Sequence, residues 1–264
     1  MALRLLVTRP QPQADAWVAR LREHGIDAAA LPLLAIDAVV DLSELHAAWR
    51  DLPRYVMVMF VSPNAVSHFF AARPAELAAR GWPAGIRAGA TGPGTVQALQ
   101  LAGVPTAMCV APPADAAQFD SYALWAQLRC ESWTGREVLV LRGDGGRDEF
   151  ATYLRGAGAA VHFTQAYHRG PARPNASERA LLADAVASPA SHLWWLSSAE
   201  AVGYLSQLAP GVDWRAAQAL ASHPRIAARA REIGFGCVIE AAPTLEAVTA
   251  ALTDIERCLQ SPPP

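Results

Sequence analysis

The sequence predicts an α/β protein built as two doubly wound parallel-sheet lobes joined by a two-stranded β connector. Three observations carry that reading. Short apolar runs lead through turns of Ser, Thr, Gly or Arg into amphipathic stretches, the rhythm of strand-turn-helix units. The rhythm recurs in order at a nearly constant spacing. Two segments break it at the same place in each recurrence.

Leu3 to Val7 is a short apolar run of buried-strand type, turned by Thr8-Arg9-Pro10 into an amphipathic stretch that stops at Gly25. Leu34 to Asp41 breaks the pattern. Val58 to Val61 is the next strand and leads into Ser62-Pro63-Asn64-Ala65-Val66, with Ser62 at a helix start. Thr91, Gly92 and Gly94 form a further turn. Val138 to Leu141 then restates the opening, followed by the loop Arg142-Gly143-Asp144-Gly145-Gly146-Arg147 and a helix ending at Gly158. Val161 to Gly170 breaks the pattern again, alternating in polarity before Pro171 and Pro174. Leu193 to Leu196 feeds Ser197 and Ser198, and Ser222 with His223 and Arg225 opens the last helix.

Arg9, Leu21, Arg22 and Gly25 recur as Arg142, Leu154, Arg155 and Gly158, each 133 residues on. Ser62 recurs as Ser198 at an offset of 136, and Thr91, Pro93 and Gly103 as Ser222, Pro224 and Gly234 at 131. Such order implies a duplication of about 130 residues, each copy a run of strand-helix units. The two pattern breaks, Leu34 to Asp41 and Val161 to Gly170, can pair as the connector.

Composition excludes several functions. With 264 residues, 52% of them hydrophobic, 17% charged, 18 Gly and 20 Pro, the chain is globular rather than disordered. A net charge of −2 supplies no basic field, so neither nucleic acid nor a membrane surface is an expected partner. All 22 Lys+Arg residues are arginine, which removes lysine Schiff-base chemistry and the lysine of a phosphate-binding loop. Cys109, Cys130, Cys237 and Cys258 are far apart, form no C-x-x-C pair and read as buried thiols. The seven histidines show no ligand spacing, so no metal is expected.

Met1 to Val7 is too short for a signal peptide, and glycines and prolines interrupt the uncharged stretch Ala88 to Ala114. The expectation is a cytoplasmic protein. Neither Gly92-Pro93-Gly94 nor Gly143-Asp144-Gly145 completes a dinucleotide fingerprint, since Gln97 and Asp148 stand where the third glycine belongs. No G-x-S-x-G elbow is present.

In a parallel sheet the strand-to-helix turns lie along one edge, where ligands bind, and helix N-termini seat carboxylates or phosphates. Thr8, Arg9, Ser62, Thr91, Gly92, Arg142, Gly143, Gly145, Gly146, Arg147, Ser197, Ser198 and Ser222 form the candidate binding set. Ser and Thr at helix starts are also ordinary caps, so the set is more informative than any member. The Arg142 to Arg147 loop exceeds what a cap needs, because three glycines between two arginines let backbone amides close around an anion. Tyr167, on the connector, is placed to face a cleft and donate a proton.

The opening Leu6-Val7-Thr8-Arg9-Pro10, the run Phe60 to Val66, Leu141 to Arg147, Tyr167, and Arg225-Ile226-Ala227 before Gly234 together resemble the uroporphyrinogen-III synthases over nearly the whole chain. The resemblance implies a hydro-lyase that takes the linear tetrapyrrole hydroxymethylbilane, removes its hydroxyl as water, inverts ring D and closes the macrocycle. It implies no cofactor and two Rossmann- or flavodoxin-like lobes; a monomer is the default expectation, and the upstream deaminase is a candidate transient partner. In this numbering the lobes are 1–34 with 172–264, and 41–163, with 35–40 and 164–171 as the connector. Tyr167 becomes the proton donor to the departing hydroxyl, and the turns become seats for the substrate's carboxylates. Some relatives carry a Thr-Ala pair where this chain has Ser222-His223, which sets that turn apart. The alternative is a two-lobed binding protein for an anionic metabolite, which needs the turns but not Tyr167.

Overall fold

The computed structural model describes residues 3–113, 116, 119–145 and 149–260. The chain begins β1 (Arg4–Val7), α1 (Gln13–Glu23), β2 (Ala28–Ala30), β3 (Leu34–Ala38), α2 (Ser43–Arg50), β4 (Met57–Phe60) and α3 (Pro63–Ala71). It continues β5 (Arg87–Ala90), α4 (Pro93–Leu101), β6 (Cys109–Val110), α5 (Ser121–Leu128), β7 (Glu137–Gly143), α6 (Glu149–Gly156) and β8 (Ala160–Pro171). Then follow α7 (Ala176–Ala187), β9 (His192–Leu196), α8 (Ala199–Gly203), α9 (Leu205–Leu208), β10 (Gln218–Ala221), α10 (Pro224–Glu232), β11 (Cys237–Glu240) and α11 (Leu245–Gln260). No described helix is long and apolar enough to cross a membrane.

Two compact units result, one taking the chain up to Ile36 and from Gly170 onward, the other Asp37–Arg169. The first holds a parallel sheet in the order β2-β1-β9-β10-β11. Taken in chain order this is 2-1-3-4-5, the doubly wound arrangement whose switch point lies between its first and third strands, here β1 and β9. Both faces are covered, which is why its strands read as near-continuous apolar runs. Leu5, Val7, Leu193 and Trp195 pack on one face with Val18 and Leu21 of α1 and Val248 and Leu252 of α11. Leu6, Trp194 and Leu196 pack on the other with Val202 of α8 and Ile226 and Ala230 of α10. Trp194 and Trp195 thus send one indole to each face, as strand alternation requires.

The second unit's sheet has the order β3-β8-β7-β4-β5-β6. With β7 standing for β1, β8 for β2, β4 for β9, β5 for β10 and β6 for β11, the two orders coincide, and β3 is the addition. The second unit's core sets Met57, Met59, Val138 and Val140 against Leu124 and Leu128 of α5 and Phe150 and Leu154 of α6. The compact units nonetheless cut across the repeats. Each combines the strand pair that opens one repeat with the strand trio that closes the other, and the chain passes from unit to unit inside β3 and inside β8.

The cysteines depart from expectation. Cys130 and Cys237 are exposed and Cys109 is partly buried. Cys237 opens β11, an edge strand, and Cys130 follows the end of α5, so neither meets a core; the side chain of Cys258 lies outside the described residues.

Candidate functional site

Arg142 of β7 pairs with Gln165 of β8, but the next pair is Gly143 with Tyr167, so Ala166 is an extra residue in the ladder. Such a bulge re-aims the side chain beside it. Here it sets Tyr167 opposite a residue with no side chain. A Cβ on Gly143 would lie 2.7 Å from Cε2 and 2.9 Å from Cζ of the phenol, so the glycine is what gives the ring its place.

The ring is 4% exposed and its hydroxyl lies 3.1 Å from Ser62 Oγ. Ser62 caps α3, its Oγ accepting the Ala65 N–H at 3.2 Å. His68, from the same helix, stacks on the phenol with ring centres 5.7 Å apart and planes at 28°. Burial pushes the His68 imidazole below its ordinary pKa, partly opposed by the Asp37 carboxylate.

A cavity of about 380 Å³ opens at the carboxyl ends of β4 and β7 in this unit. Ser62, Thr91, Arg142, Gly143, Gly145 and Tyr167 line it, so six of the residues named from sequence meet there. Gly92, the cap of α4, follows Thr91 without reaching the lining. Gly146 and Arg147 lie outside the described residues. Arg142 extends its guanidinium over the Phe163 ring at 4.1 Å, holding a cation against an apolar wall that also includes Met59, Val61, Val140 and Phe150. The result is an apolar wall faced by convergent polar and charged groups, a make-up suited to a small molecule that carries both.

Sequence reasoning missed several lining residues. Arg169 lies two positions beyond Tyr167 on β8, where strand alternation returns a side chain to the same face. Its backbone N–H donates to Asp144 Oδ1 at 2.7 Å and its guanidinium to the Asp144 carbonyl at 2.8 Å, tying β8 to the glycine loop. Asp120 also lines the cavity, its carboxylate capping α5 through the Ala123 N–H at 2.8 Å. An Asp before an apolar helix was the available signal. Glu149 and Phe163 gave none.

Thr8, Arg9, Ser197, Ser198 and Ser222 belong to the first unit, at the ends of β1, β9 and β10. The Thr8 hydroxyl is 1% exposed and donates to the Trp195 carbonyl at 2.6 Å, which secures the β1–β9 junction. Ser198 caps α8, its Oγ accepting the Ala201 N–H at 3.2 Å. Ser222 precedes the cap of α10, which is His223, with Nδ1 accepting the Arg225 N–H at 3.1 Å. Arg9 lies against Trp17 and Trp195 at 5.7 and 5.5 Å. Its Nε is buried with no hydrogen-bond partner among the described residues, and desolvation lowers its pKa. Among the described residues no group of three or more His, Cys, Asp or Glu is placed to hold a metal ion.

Comparison with known proteins settles the family. A profile described as uroporphyrinogen-III synthase HemD matches residues 15–250. The uroporphyrinogen-III synthase of Salmonella typhimurium is 31% identical over 177 residues, which is 67% of this chain and 69% of that one. A mutant uroporphyrinogen III synthase from the extremely thermophilic bacterium Thermus thermophilus shares the fold at a TM-score of 0.58 and 18% identity, covering 98% of this chain and 99% of that chain. The uroporphyrinogen-III synthetase of Helicobacter pylori does so at a TM-score of 0.59 and 15% identity, covering 98% and 100%. The chain belongs to the uroporphyrinogen-III synthase family.

Proposed function

We propose that the cavity between the ends of β4 and β7 is where this chain carries out its family's reaction, and that Tyr167 is the proton donor. The reaction cyclises hydroxymethylbilane to uroporphyrinogen III, with loss of water and inversion of ring D. Its first barrier is departure of hydroxide, a poor leaving group until it is protonated. The observation that carries the assignment is the placement of the phenol, buried, lining the cavity and within 3.1 Å of Ser62 Oγ. Because Ser62 Oγ already accepts the Ala65 N–H, its own proton can go to Tyr167 Oη, leaving the phenol proton for the substrate.

Loss of water leaves an electron-poor azafulvene, which the ring attacks at its substituted carbon to form a spiro intermediate before rearranging. The reactive pyrrole drives these steps, so the protein's part is to hold ring D in the productive conformation against simple closure to the type I isomer. The apolar wall of Phe163, Phe150 and Val140 offers a surface for a pyrrole ring. Arg142, Arg169 and the amides of Gly143 and Gly145 offer seats for its carboxylates. In the first unit the turns at Arg9, Ser197, Ser198 and Ser222 take further carboxylates, Arg9 Nε being a buried polar atom there with no partner among the described residues. In the same reading the paired segments β3 and β8 serve as the connector between lobes.

The test is isomer analysis. Hydroxymethylbilane generated by a deaminase is offered to the chain, the products are oxidised, and uroporphyrins I and III are separated. Dominant type III supports the reading, and Tyr167→Phe is expected to lower turnover by about 10²- to 10⁴-fold. Type I formed at the spontaneous rate by folded protein would refute the reading, and unchanged turnover in Tyr167→Phe would remove the tyrosine from catalysis.

A further inference from the structure

His68 does not line the cavity, yet it touches the one phenol that the reaction uses. We infer that His68 is a positioning residue for Tyr167, its imidazole face holding the phenol against Gly143 and so fixing where the hydroxyl presents its proton. The inference rests on the reading of Tyr167 as proton donor.

Three features restrain the phenol besides this contact. The bulge fixes its backbone opposite Gly143, the missing Cβ leaves room for the ring itself, whose Cε2, Cζ and Cδ2 would lie 2.7, 2.9 and 3.2 Å from it, and Ser62 meets its tip. None of them is a contact with another ring. Among the described residues the ring that meets Tyr167 is His68, offset and nearly parallel to it. Ser62 and His68 both come from α3 and its cap, so a single rigid element clamps the phenol at tip and face.

The contact is ring on ring. No hydrogen bond from the imidazole occurs among the described residues, so His68 passes no proton to the phenol in this arrangement. With its pKa pushed down by burial, and only partly restored by Asp37, the ring is neutral near pH 7 and offers a flat polarizable surface rather than a charge. Any planar aromatic ring of similar size can supply that surface, which is what makes the role testable.

The test is a double-mutant cycle on the intact chain. Turnover, KM and the ratio of type III to type I product are measured for the wild type, His68→Leu, Tyr167→Phe and the double variant, with His68→Phe alongside. His68→Leu is expected to lower kcat about ten-fold or more while KM stays within about two-fold, because the reacting group is misplaced rather than the substrate unbound. Slower catalysis also lets spontaneous closure compete, shifting product toward type I. His68→Phe is expected to restore kcat. In the Tyr167→Phe background His68→Leu is expected to cost nothing further, since the hydroxyl it places is gone.

Equal losses in both backgrounds, an unchanged kcat in His68→Leu, or no restoration by His68→Phe each overturn the inference while leaving the donor role intact. An unchanged kcat in Tyr167→Phe overturns the donor role and this inference together. Where thermal melting shows His68→Leu unfolded, His68→Gln takes its place with the same expectations.

Discussion

Gly143 shows how far residue type reaches and where it stops. The sequence singles it out as part of a glycine loop fit to cradle an anion, and it does line the cavity. Its tighter constraint is steric, a ring 24 residues downstream that a bulge has brought opposite it. Register is a property of two strands, so no local pattern announces it. Gly143→Ala is expected to push the phenol aside, with an overpacking cost of about 1–3 kcal/mol. Its turnover is expected to fall toward that of Tyr167→Phe while the chain still melts cooperatively. Steady-state kinetics beside a thermal melt checks this, and full activity in Gly143→Ala would show that the phenol's place is not critical. Thr8 teaches the converse lesson. Its residue type marked it for ligand, but its hydroxyl is spent on the Trp195 carbonyl.

At the scale of elements, legibility follows burial and length. The runs at β1, β4, β7 and β9 are apolar because both faces of their sheets are covered, and they stand out for that reason. Strand β2 is three alanines, and β5 is Arg87-Ala88-Gly89-Ala90, where a Cβ on Gly89 would lie 2.2 Å from Met57 Cε and displace the methionine tip. Small residues carry little strand signal, so such elements emerge only from their neighbours. Caps are local and therefore readable. Asn175-Ala176-Ser177-Glu178 opens α7 with a reciprocal box, Asn175 Oδ1 accepting the Glu178 N–H at 3.0 Å and Glu178 Oε2 accepting the Asn175 N–H at 2.8 Å. Asn175→Ala is expected to cost about 1 kcal/mol, lowering Tm by a few degrees. Turnover and isomer ratio are expected to stay at wild-type values, since α7 contributes nothing to the cavity lining. A kinetic change at wild-type Tm would contradict that division between stability and catalysis.

At the scale of the whole chain, the duplication is legible in the residues themselves, whereas a division of the chain that crosses it entered only with the family resemblance. Offsets of 131 to 136 residues mark two copies, and the repeat taken alone gives each copy its own run of strand-helix units. Instead each unit joins the opening strands of one copy to the closing strands of the other. Sequence similarity is blind to this, because β1 and β7 occupy the same place in identical sheet orders, whichever trio they join. Contacts distinguish the two cases, and they make the units unequal in one testable respect. Residues 34–171 are contiguous and contain the whole order β3-β8-β7-β4-β5-β6 with the core around Met57, Val138, Leu124 and Phe150. Residues 172–264 lack β1, which pairs with β9 from Arg4 opposite His192 to Val7 opposite Trp195, and lack α1, whose Trp17 meets the Trp195 ring edge-on at 4.6 Å and whose Val18 and Leu21 share its core. Leaving an inner strand edge open and a core tryptophan face bare exceeds what a domain with a margin of about 5–15 kcal/mol tolerates. A fragment of residues 34–171 is therefore expected to show dispersed amide resonances and a cooperative thermal transition. A fragment of residues 172–264 is expected to show neither until residues 1–33 are supplied as a separate peptide. If instead the two fragments corresponding to the sequence copies, 1–133 and 134–264, fold independently and 34–171 does not, the units are set by ancestry rather than by the contacts that now bury the cores.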